Sequence, residues 1–236
     1  MFTGTQPTLR VIAVRPEPQQ RRSRETRGKL LVAAEALFAR DGFERTTTNA
    51  IARRAGVSIG TFYLHFPDKR AVFLAVFDRL RRKGLHTLGL VLDPLPATPD
   101  EFRARLLQIV DGVFARQARH AGFRRTLLDL LSRDAHVAAR YRDAQATLRE
   151  FLVQMIEAGQ RRGLIRSIDA EAAALVLQTV AEQVAAQAVV YKRLPMADDR
   201  LRAMLAEMFS RLLLNTGVES RPPPSKGRTR KEGRGA

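Results

Sequence analysis

The sequence predicts an all-α protein with a small N-terminal domain and a larger helical domain. Apolar residues recur with helical spacing along most of the chain, and alternating strand patterns are essentially absent. A run rich in proline at residues 93–99 separates shorter helices from longer ones. The 236 residues are enough for a small module joined to a sizeable helical core.

Composition divides the chain into four expected segments. Residues 1–24 and 218–236 combine proline with many arginines, and we expect both to be disordered basic extensions. Residues 25–82 are expected to form the smaller domain and residues 83–217 the larger one.

The smaller domain is predicted to be a three-helix domain followed by a fourth helix, and each helix has a start or stop signal. The first covers about residues 27–40 and ends at Gly42, a residue suited to a left-handed cap. Thr47 or Thr48 caps the second helix, and Gly56 ends it. Ser58 caps a short third helix that Pro67 stops, and the fourth begins near Asp68.

The larger domain is predicted to contain five longer helices. Their expected ranges are about 100–119, 122–133, 137–162, 170–193 and 198–216. The last two have broad apolar faces rich in Ala and Met, which favours a four-helix interface between two copies of the chain. Burial of both faces within one chain is the alternative.

Charge is concentrated at the N-terminus. The net charge is +17, and residues 1–83 have 17 Lys and Arg against 7 Asp and Glu, whereas residues 84–217 have 18 against 15. A polyanionic partner for the smaller domain fits this distribution, and so does a merely solvated surface rich in arginine. The chain has no cysteine, which excludes disulfides and zinc sites that use cysteine.

No uncharged apolar stretch of 18 residues exists, and no export signal is recognisable at the N-terminus. We therefore expect a cytoplasmic protein without a membrane span.

Residues 47–66 have the pattern of a helix-turn-helix. Gly56 supplies the sharp turn, and the small residues Ala52 and Ala55 allow the helices to cross closely. Ile51 and Phe62 are placed to fix the angle between them. The second of the two helices would then present its N-terminal end to the major groove of DNA.

A family resemblance rests on the residues around this motif. The run from Gly42 to Thr47, Ile51-Ala52, and the run Ala55-Gly-Val-Ser-Ile-Gly-Thr-Phe-Tyr-Leu-His-Phe-Pro-Asp-Lys69 resemble the DNA-binding signature of the TetR family. The resemblance covers about residues 27–77. Ile59 stands where relatives often have a polar residue, and Leu64 where they often have His or Arg.

The resemblance implies roles in DNA binding for eight residues. Thr46 and Thr47 would hold phosphates, Tyr63 and His65 would face the DNA backbone, and Lys69 would donate to a phosphate. Ser58, Ile59 and Thr61 would lie nearest the base edges. Ser58 as a helix cap and His65 as a core residue remain open alternatives, and Arg21, Arg22, Arg24 and Arg27 are possible further contacts.

The resemblance also implies a dimer that responds to a ligand. The dimer would form through residues 171–194 and 198–216, bind a palindromic operator in double-stranded DNA as a repressor, and be released by a small effector. We expect the effector to be an apolar molecule. No carboxylate-binding cluster of arginines stands out in the sequence that would indicate its identity further. The candidate pocket residues are Phe102, Leu106, Phe114, Phe123, Leu127, Tyr141, Phe151, Met155, Gln178, Glu182 and Gln183.

Three other functions were weighed. Gly56-Val57-Ser58-Ile59-Gly60 matches the nucleophile elbow of α/β-hydrolases, but a helical and basic segment precedes it where a buried strand is required. The four histidines lack metal-ligand spacing, so we expect no metal site. We also expect no cofactor and no enzyme activity. A scaffold protein with a basic module would not need about 120 further helical residues.

Overall fold

The computed structural model describes residues 18–194 and 198–215, and these ranges are helical throughout most of their length. The nine helices within them are α1 (Pro18–Arg45), α2 (Thr48–Ala55), α3 (Ile59–His65), α4 (Lys69–Leu92), α5 (Pro99–Arg119), α6 (Ala121–Leu131), α7 (Ala135–Arg161), α8 (Ala170–Ala185) and α9 (Asp198–Leu213). A π-helical segment, Ala186–Val190, continues α8. The described residues contain one isolated antiparallel bridge, between Ile165 and Leu214. The all-α prediction is confirmed.

Side-chain caps define the helix starts as the sequence suggests. Thr98, Asp134 and Asp169 each accept a hydrogen bond from a backbone N–H in the first turn of α5, α7 and α8. Each cap satisfies a donor that has no partner within its helix.

The N-terminal boundary is a correction. We expected residues 1–24 to be disordered, but α1 begins at Pro18 and includes residues 18–24. Gln and Arg are good helix formers, and proline is tolerated in a first turn, so the helix extends outward from residue 27. Residues 1–17 and the expected tail, 218–236, lie outside the described residues.

The first core, which we call the Phe core, is formed by helices α1, α2, α3, α4 and α6 and by the start of α7. Phe38 and Phe73 are fully buried, with ring centroids 5.1 Å apart, and Phe123 of α6 stacks on Phe73 at 4.8 Å. The buried side chains of Ile51 and Phe62 attach α2 and α3 to the same core. The expected domain boundary at residue 82 therefore falls inside α4, and α6 packs on the smaller domain.

The second core lies between α5, α7, α8 and α9. Its buried members include Val110, Phe114, Ile156, Ala174 and Phe209. Together α8 and the π-helical segment are long and apolar enough to cross a bilayer. Because Glu182 of α8 is buried in an ion cluster among α4, α5, α6 and α7, we interpret α8 as a core helix.

Candidate nucleic-acid interface and effector cavity

The turn between α2 and α3 has the geometry of a helix-turn-helix. Thr47 caps α2 by accepting from the Ala50 N–H at 3.1 Å, and Gly56 ends it with φ 70° and ψ 35°. This left-handed conformation favours glycine. Ser58 then caps α3 by accepting from the Thr61 N–H at 3.1 Å. Because helix α2 and not a strand precedes Ser58, the nucleophile-elbow alternative is excluded.

The outer side of α3 is exposed, and we call it the α3 surface; its members are Ser58, Ile59, Thr61, Tyr63 and Leu64. Leu64 exposes 84% of its surface, Tyr63 53% and Ile59 38%. The Ser58 and Thr61 hydroxyls lie 2.9 Å apart, so one donates to the other. The surface combines hydroxyl groups that can form hydrogen bonds with apolar side chains that can pack on a thymine methyl group.

The start of α2 is joined to α3 through a hydroxyl pair. The Tyr63 hydroxyl lies 3.3 Å from the Thr48 hydroxyl, which positions the Tyr63 ring beside the exposed N-terminus of α2. His65 is half-buried at the end of α3. Thr47 at the start of α2 and Tyr63 on α3 are both exposed. Both side chains can approach the same DNA backbone.

Thr46 does not reach this surface. It is 1% exposed, and its hydroxyl donates to the Gly42 carbonyl at 2.7 Å. Its backbone N–H donates to the Phe43 carbonyl at 3.3 Å. The predicted phosphate contact of Thr46 is therefore wrong, since its side chain holds the loop between α1 and α2.

Lys69 has a local structural role that the sequence did not reveal. Its ammonium donates to the carbonyls of Phe43 at 2.8 Å and Glu44 at 3.3 Å and lies 4.3 Å from the centre of the Phe43 ring. These contacts tie the start of α4 to the end of α1. An ammonium has three donors, so a third bond to a phosphate is compatible with this position.

A cavity of about 570 Å³ lies between α4, α5, α7, α8 and α9. This size is within the range of small-molecule sites in proteins. Of the predicted pocket residues, five line it: Phe102, Leu106, Met155, Gln178 and Glu182.

The other six predicted pocket residues lie elsewhere. Phe123 and Leu127 belong to the Phe core, and Phe114 is buried under Arg202 of α9. Phe151 and Tyr141 do not line the cavity, although the Tyr141 hydroxyl lies 3.4 Å from the Glu182 carboxylate behind it. Gln183 is exposed on the outside of α8. Helical periodicity identified most of these residues as buried, but it does not show which core they enter.

A buried ion cluster lies at the polar end of the cavity, and we call it the Glu182 cluster. Glu182 is 6% exposed, and its carboxylate accepts from Arg81 at 3.1 Å and from Gln145 at 3.0 Å. The guanidinium groups of Arg116 and Arg124 lie 3.8 Å and 3.7 Å from the same carboxylate. The sequence analysis missed this convergence, because its three arginines come from three different helices.

Opposing effects set the charge state of Glu182. Burial raises its pKa, but Arg81, Arg124 and Arg116 together outweigh burial and hold the pKa below its usual value. Burial also lowers the pKa of Arg116, and the Glu182 carboxylate only partly opposes that effect. Glu182 is therefore a carboxylate at neutral pH, surrounded by guanidinium groups.

Each of the last two helices exposes large apolar side chains. Leu175 and Val176 of α8 expose 50% and 47% of their surface, and Met204 and Met208 of α9 expose 67% and 41%. Exposed apolar surface is available for a protein interface.

Helix α6 connects the Phe core with the wall of the cavity. Gly122 lies so close to α1 that a Cβ atom there would be 2.5 Å from the Ala39 carbonyl oxygen. Thr126 donates to the Phe38 carbonyl at 2.8 Å. His120, which lines the cavity, has its Nδ1 2.7 Å from the Glu35 carboxylate of α1. The cavity wall and the DNA-binding region therefore share contacts.

No group of three potential metal ligands occurs within residues 18–194 and 198–215.

Comparison with known proteins gives consistent matches along the chain. Residues 30–76 match the model of bacterial regulatory proteins of the tetR family, and residues 92–212 match a model of bacterial transcriptional repressors that also bears the TetR name. An HTH-type transcriptional regulator of Mycobacterium bovis is 28% identical over 67% of this chain and 79% of its own length.

Solved structures agree with the fold. A TetR-family transcriptional regulator from Mesorhizobium loti superposes with a TM-score of 0.66 at 18% identity, covering 82% of this chain and 99% of its own. A transcriptional regulator from Saccharomonospora viridis, solved in complex with choline, gives a TM-score of 0.65 at 22% identity, with 81% and 99% covered.

Proposed function

Because this chain belongs to the TetR family of DNA-binding transcriptional regulators, and is not an enzyme, we propose that it is a repressor released from its operator by a small molecule. The observation that supports this most directly is the α2–Gly56–α3 unit, whose outer side exposes hydroxyl and apolar groups. The match of residues 92–212 to bacterial transcriptional repressors supports the direction of regulation. We also propose that the protein acts in the cytoplasm.

The α3 surface is the proposed site of base contacts. Ser58, Ile59 and Thr61 lie at the N-terminal end of α3, where a recognition helix meets base edges. Thr47, Tyr63, His65 and Lys69 are the proposed backbone contacts. The exposed Arg53 and Arg54 on α2 add positive charge nearby and would strengthen binding without reading sequence.

We propose a homodimer formed through α8 and α9, with residues 171–194 and 198–216 as its extent. The exposed apolar side chains of Leu175, Val176, Met204 and Met208 support this interface. A two-fold dimer would place two α3 helices about one DNA turn apart, ~34 Å, on a palindromic site.

Helix α6 is the proposed connection between effector and DNA. It contacts α1 through Gly122 and Thr126, and His120 at its start borders the cavity. An effector that fits one arrangement of the cavity wall better than another would bias the spacing of the two α3 helices. The Saccharomonospora relative holds choline, which supports an effector function for a helical domain of this shape.

Direct DNA-binding measurements test the proposal. The purified protein should bind a duplex from upstream of its own gene more tightly than a random duplex, and its affinity should fall as salt rises. Tyr63→Phe should weaken binding to both duplexes, because it removes a proposed backbone contact. Ser167→Ala is the control for loss of a hydroxyl, since Ser167 is exposed between α7 and α8 and belongs neither to the proposed dimer interface nor to the cavity lining. Equal binding of both duplexes by a dimeric sample at moderate salt would refute the assignment.

A further inference from the structure

The polar end of the cavity has more positive than negative charge. In the Glu182 cluster, one carboxylate faces the three guanidinium groups of Arg81, Arg116 and Arg124. The wider cavity wall adds Arg82, Lys83, Arg119 and Arg140, against Asp78 and Asp143. Arg140 is already paired with Asp78 at 2.9 Å. The acidic groups that line the cavity are therefore too few to neutralise its basic ones.

Arg116 is the least satisfied of the three arginines. Arg81 donates to Glu182 and to the Ala144 carbonyl, and Arg124 donates to the Tyr141 hydroxyl. In the described part of the chain, the Arg116 guanidinium makes no hydrogen bond, and its distance to Glu182 is 3.8 Å. It lies against Gly84 of α4 and keeps 32% of its side-chain surface accessible, next to the cavity.

Buried amide oxygens add a second set of unused groups. The Oε1 atoms of Gln178 and Gln145 are buried without a hydrogen-bond partner among the described residues, and Gln178 is 6% exposed. Gln178 lines the cavity, so its oxygen can accept from a donor group on a ligand. Buried polar groups without partners are costly, so these oxygens favour a ligand with an N–H or O–H group, which is a requirement separate from the charge of its head group.

Much of the remaining cavity wall is apolar. Leu88 and Leu92 of α4, Phe102 and Leu106 of α5, and Met155 of α7 line it. A mainly apolar cavity that also contains charged groups suits a ligand with an apolar body and a single charged head group.

We propose that the effector is an organic anion with an apolar body, a carboxylic acid, whose carboxylate is bound by Arg116. This deepens the proposed function and rests on it, because it takes the cavity as the effector site. It adds a charged head group to the apolar effector that the sequence led us to expect. The guanidinium of Arg116, or that of Arg81 beside it, can donate two parallel N–H bonds to one carboxylate. This is the strongest form of such a contact.

Three probes with one apolar body and different head groups test the head-group preference. Octanoate, octanamide and octylammonium are titrated into the full-length protein by calorimetry. We expect octanoate to bind at least tenfold more tightly than octanamide, and octylammonium to bind weakest. Octyl phosphate is the fourth arm: tighter binding than octanoate would indicate a phosphate ester and overturn the carboxylate assignment. Equal affinities, a preference for octylammonium, or no binding at millimolar concentration would also overturn it.

Two variants test the role of Arg116. Arg116→Gln should abolish the preference for octanoate over octanamide, and Gly84→Ala should reduce it, because a Cβ atom there would lie 2.7 Å from Arg116 Nη1. Arg142→Gln is the matched control, since Arg142 is exposed on α7 and does not line the cavity. Arg116→Gln should not lower the melting temperature, because it removes an excess charge. A lower melting temperature with an unchanged preference would make Arg116 a structural residue only.

Parallel DNA-binding measurements on the wild-type protein keep the two proposals separate. Octanoate preference without any effect on duplex affinity would support the ligand class and contradict release by an effector. Duplex binding with no head-group preference would leave the repressor proposal standing and refute the ligand class.

Discussion

The two cores of this protein differ in what fills them. The Phe core is filled with aromatic rings, and its buried Thr46 and Thr126 both donate to nearby carbonyls. The second core surrounds a cavity of about 570 Å³ and holds the Glu182 cluster and two amide oxygens that have no hydrogen-bond partner among the described residues. The difference separates a densely packed region from a region that has room for a ligand.

This contrast fits the proposed division of labour. The α3 helix is anchored by the buried Phe62 and must keep its angle to α2 whenever DNA is bound. The cavity wall, by contrast, contains charged groups and amide oxygens that can pair with a ligand. A ligand that binds them would raise the free energy of unfolding. Because α6 touches both regions, a change in one has a physical route to the other.

Removing a ring from the Phe core gives the largest expected effect. Phe73→Ala should lower the free energy of unfolding by about 3–5 kcal/mol, because Phe73 is fully buried and contacts three other rings. Met155→Ala, on the cavity wall, should cost less, because Met155 already borders empty space. Urea unfolding at a fixed protein concentration measures both. Equal losses would show that the two cores are packed alike.

Neutralising the carboxylate of the Glu182 cluster should have the next largest effect. Glu182→Gln should lower the free energy of unfolding by about 3 kcal/mol, because three guanidinium groups would lose their counter-charge. Arg116→Gln is the matched variant. It should not lower the free energy of unfolding, since it reduces the excess of positive charge in the Glu182 cluster. Losses of similar size in both variants would contradict the charge imbalance that we infer.

The same carboxylate should make stability depend on pH. Its folded-state pKa lies below the ordinary value of 4.5, so its contribution is complete above about pH 4.5 and is lost as pH falls through the lower folded value. The difference in unfolding free energy between wild type and Glu182→Gln should therefore shrink on acidification below that point. A difference that stays constant through this range would mean that Glu182 is not ionised in the fold.

Local features of the fold were predictable because their causes lie within a few residues. Thr47, Ser58 and Asp68 each accept from a backbone N–H three residues later, so the sequence shows both partners. The turn at Gly56 is equally local, since its positive φ favours a residue without a side chain. These features were enough to predict the helix-turn-helix, whereas the residues of its DNA-facing side came from the family resemblance.

The cavity was less predictable because its partners are distant in the chain. Glu182 meets Arg81 across 101 residues, and periodicity gives no signal for such a pair. Lys69 looked like a surface cation, yet its contacts are carbonyls 26 and 25 positions earlier. Apolar spacing shows that a residue is buried but not where, which is why Phe123 and Leu127 were placed in the pocket.

Separating α6 from α1 should have a smaller effect on stability and a specific effect on coupling. In Gly122→Ala the new Cβ would meet the backbone of Ala39 at 2.5 Å, and this overpacking should cost about 1–3 kcal/mol. Gly89→Ala in α4 is the control, because nothing lies within 4 Å of a Cβ there and Gly89 does not line the cavity. Unfolding measurements and the change in duplex affinity caused by octanoate are compared. If both variants keep the wild-type response to octanoate, α6 is not the connection.

The smallest expected effect separates two roles of Ser58. Its hydroxyl accepts from the Thr61 N–H, so Ser58→Ala should lower the free energy of unfolding by about 1 kcal/mol through loss of the cap. Ser58→Asn should restore that stability, because asparagine caps helices equally well.

Duplex preference then decides between the two roles, because a cap and a base contact affect it differently. If Ser58 only caps α3, Ser58→Ala should weaken binding to all duplexes alike, and Ser58→Asn should recover the wild-type affinity with the preference unchanged. If its hydroxyl also reads a base edge, Ser58→Asn should be stable and yet change which duplex is preferred, because an amide offers a different donor and acceptor pattern. The second outcome would add Ser58, the first residue of the α3 surface, to the residues that read the DNA sequence. The first would restrict it to Ile59, Thr61 and the residues that follow them.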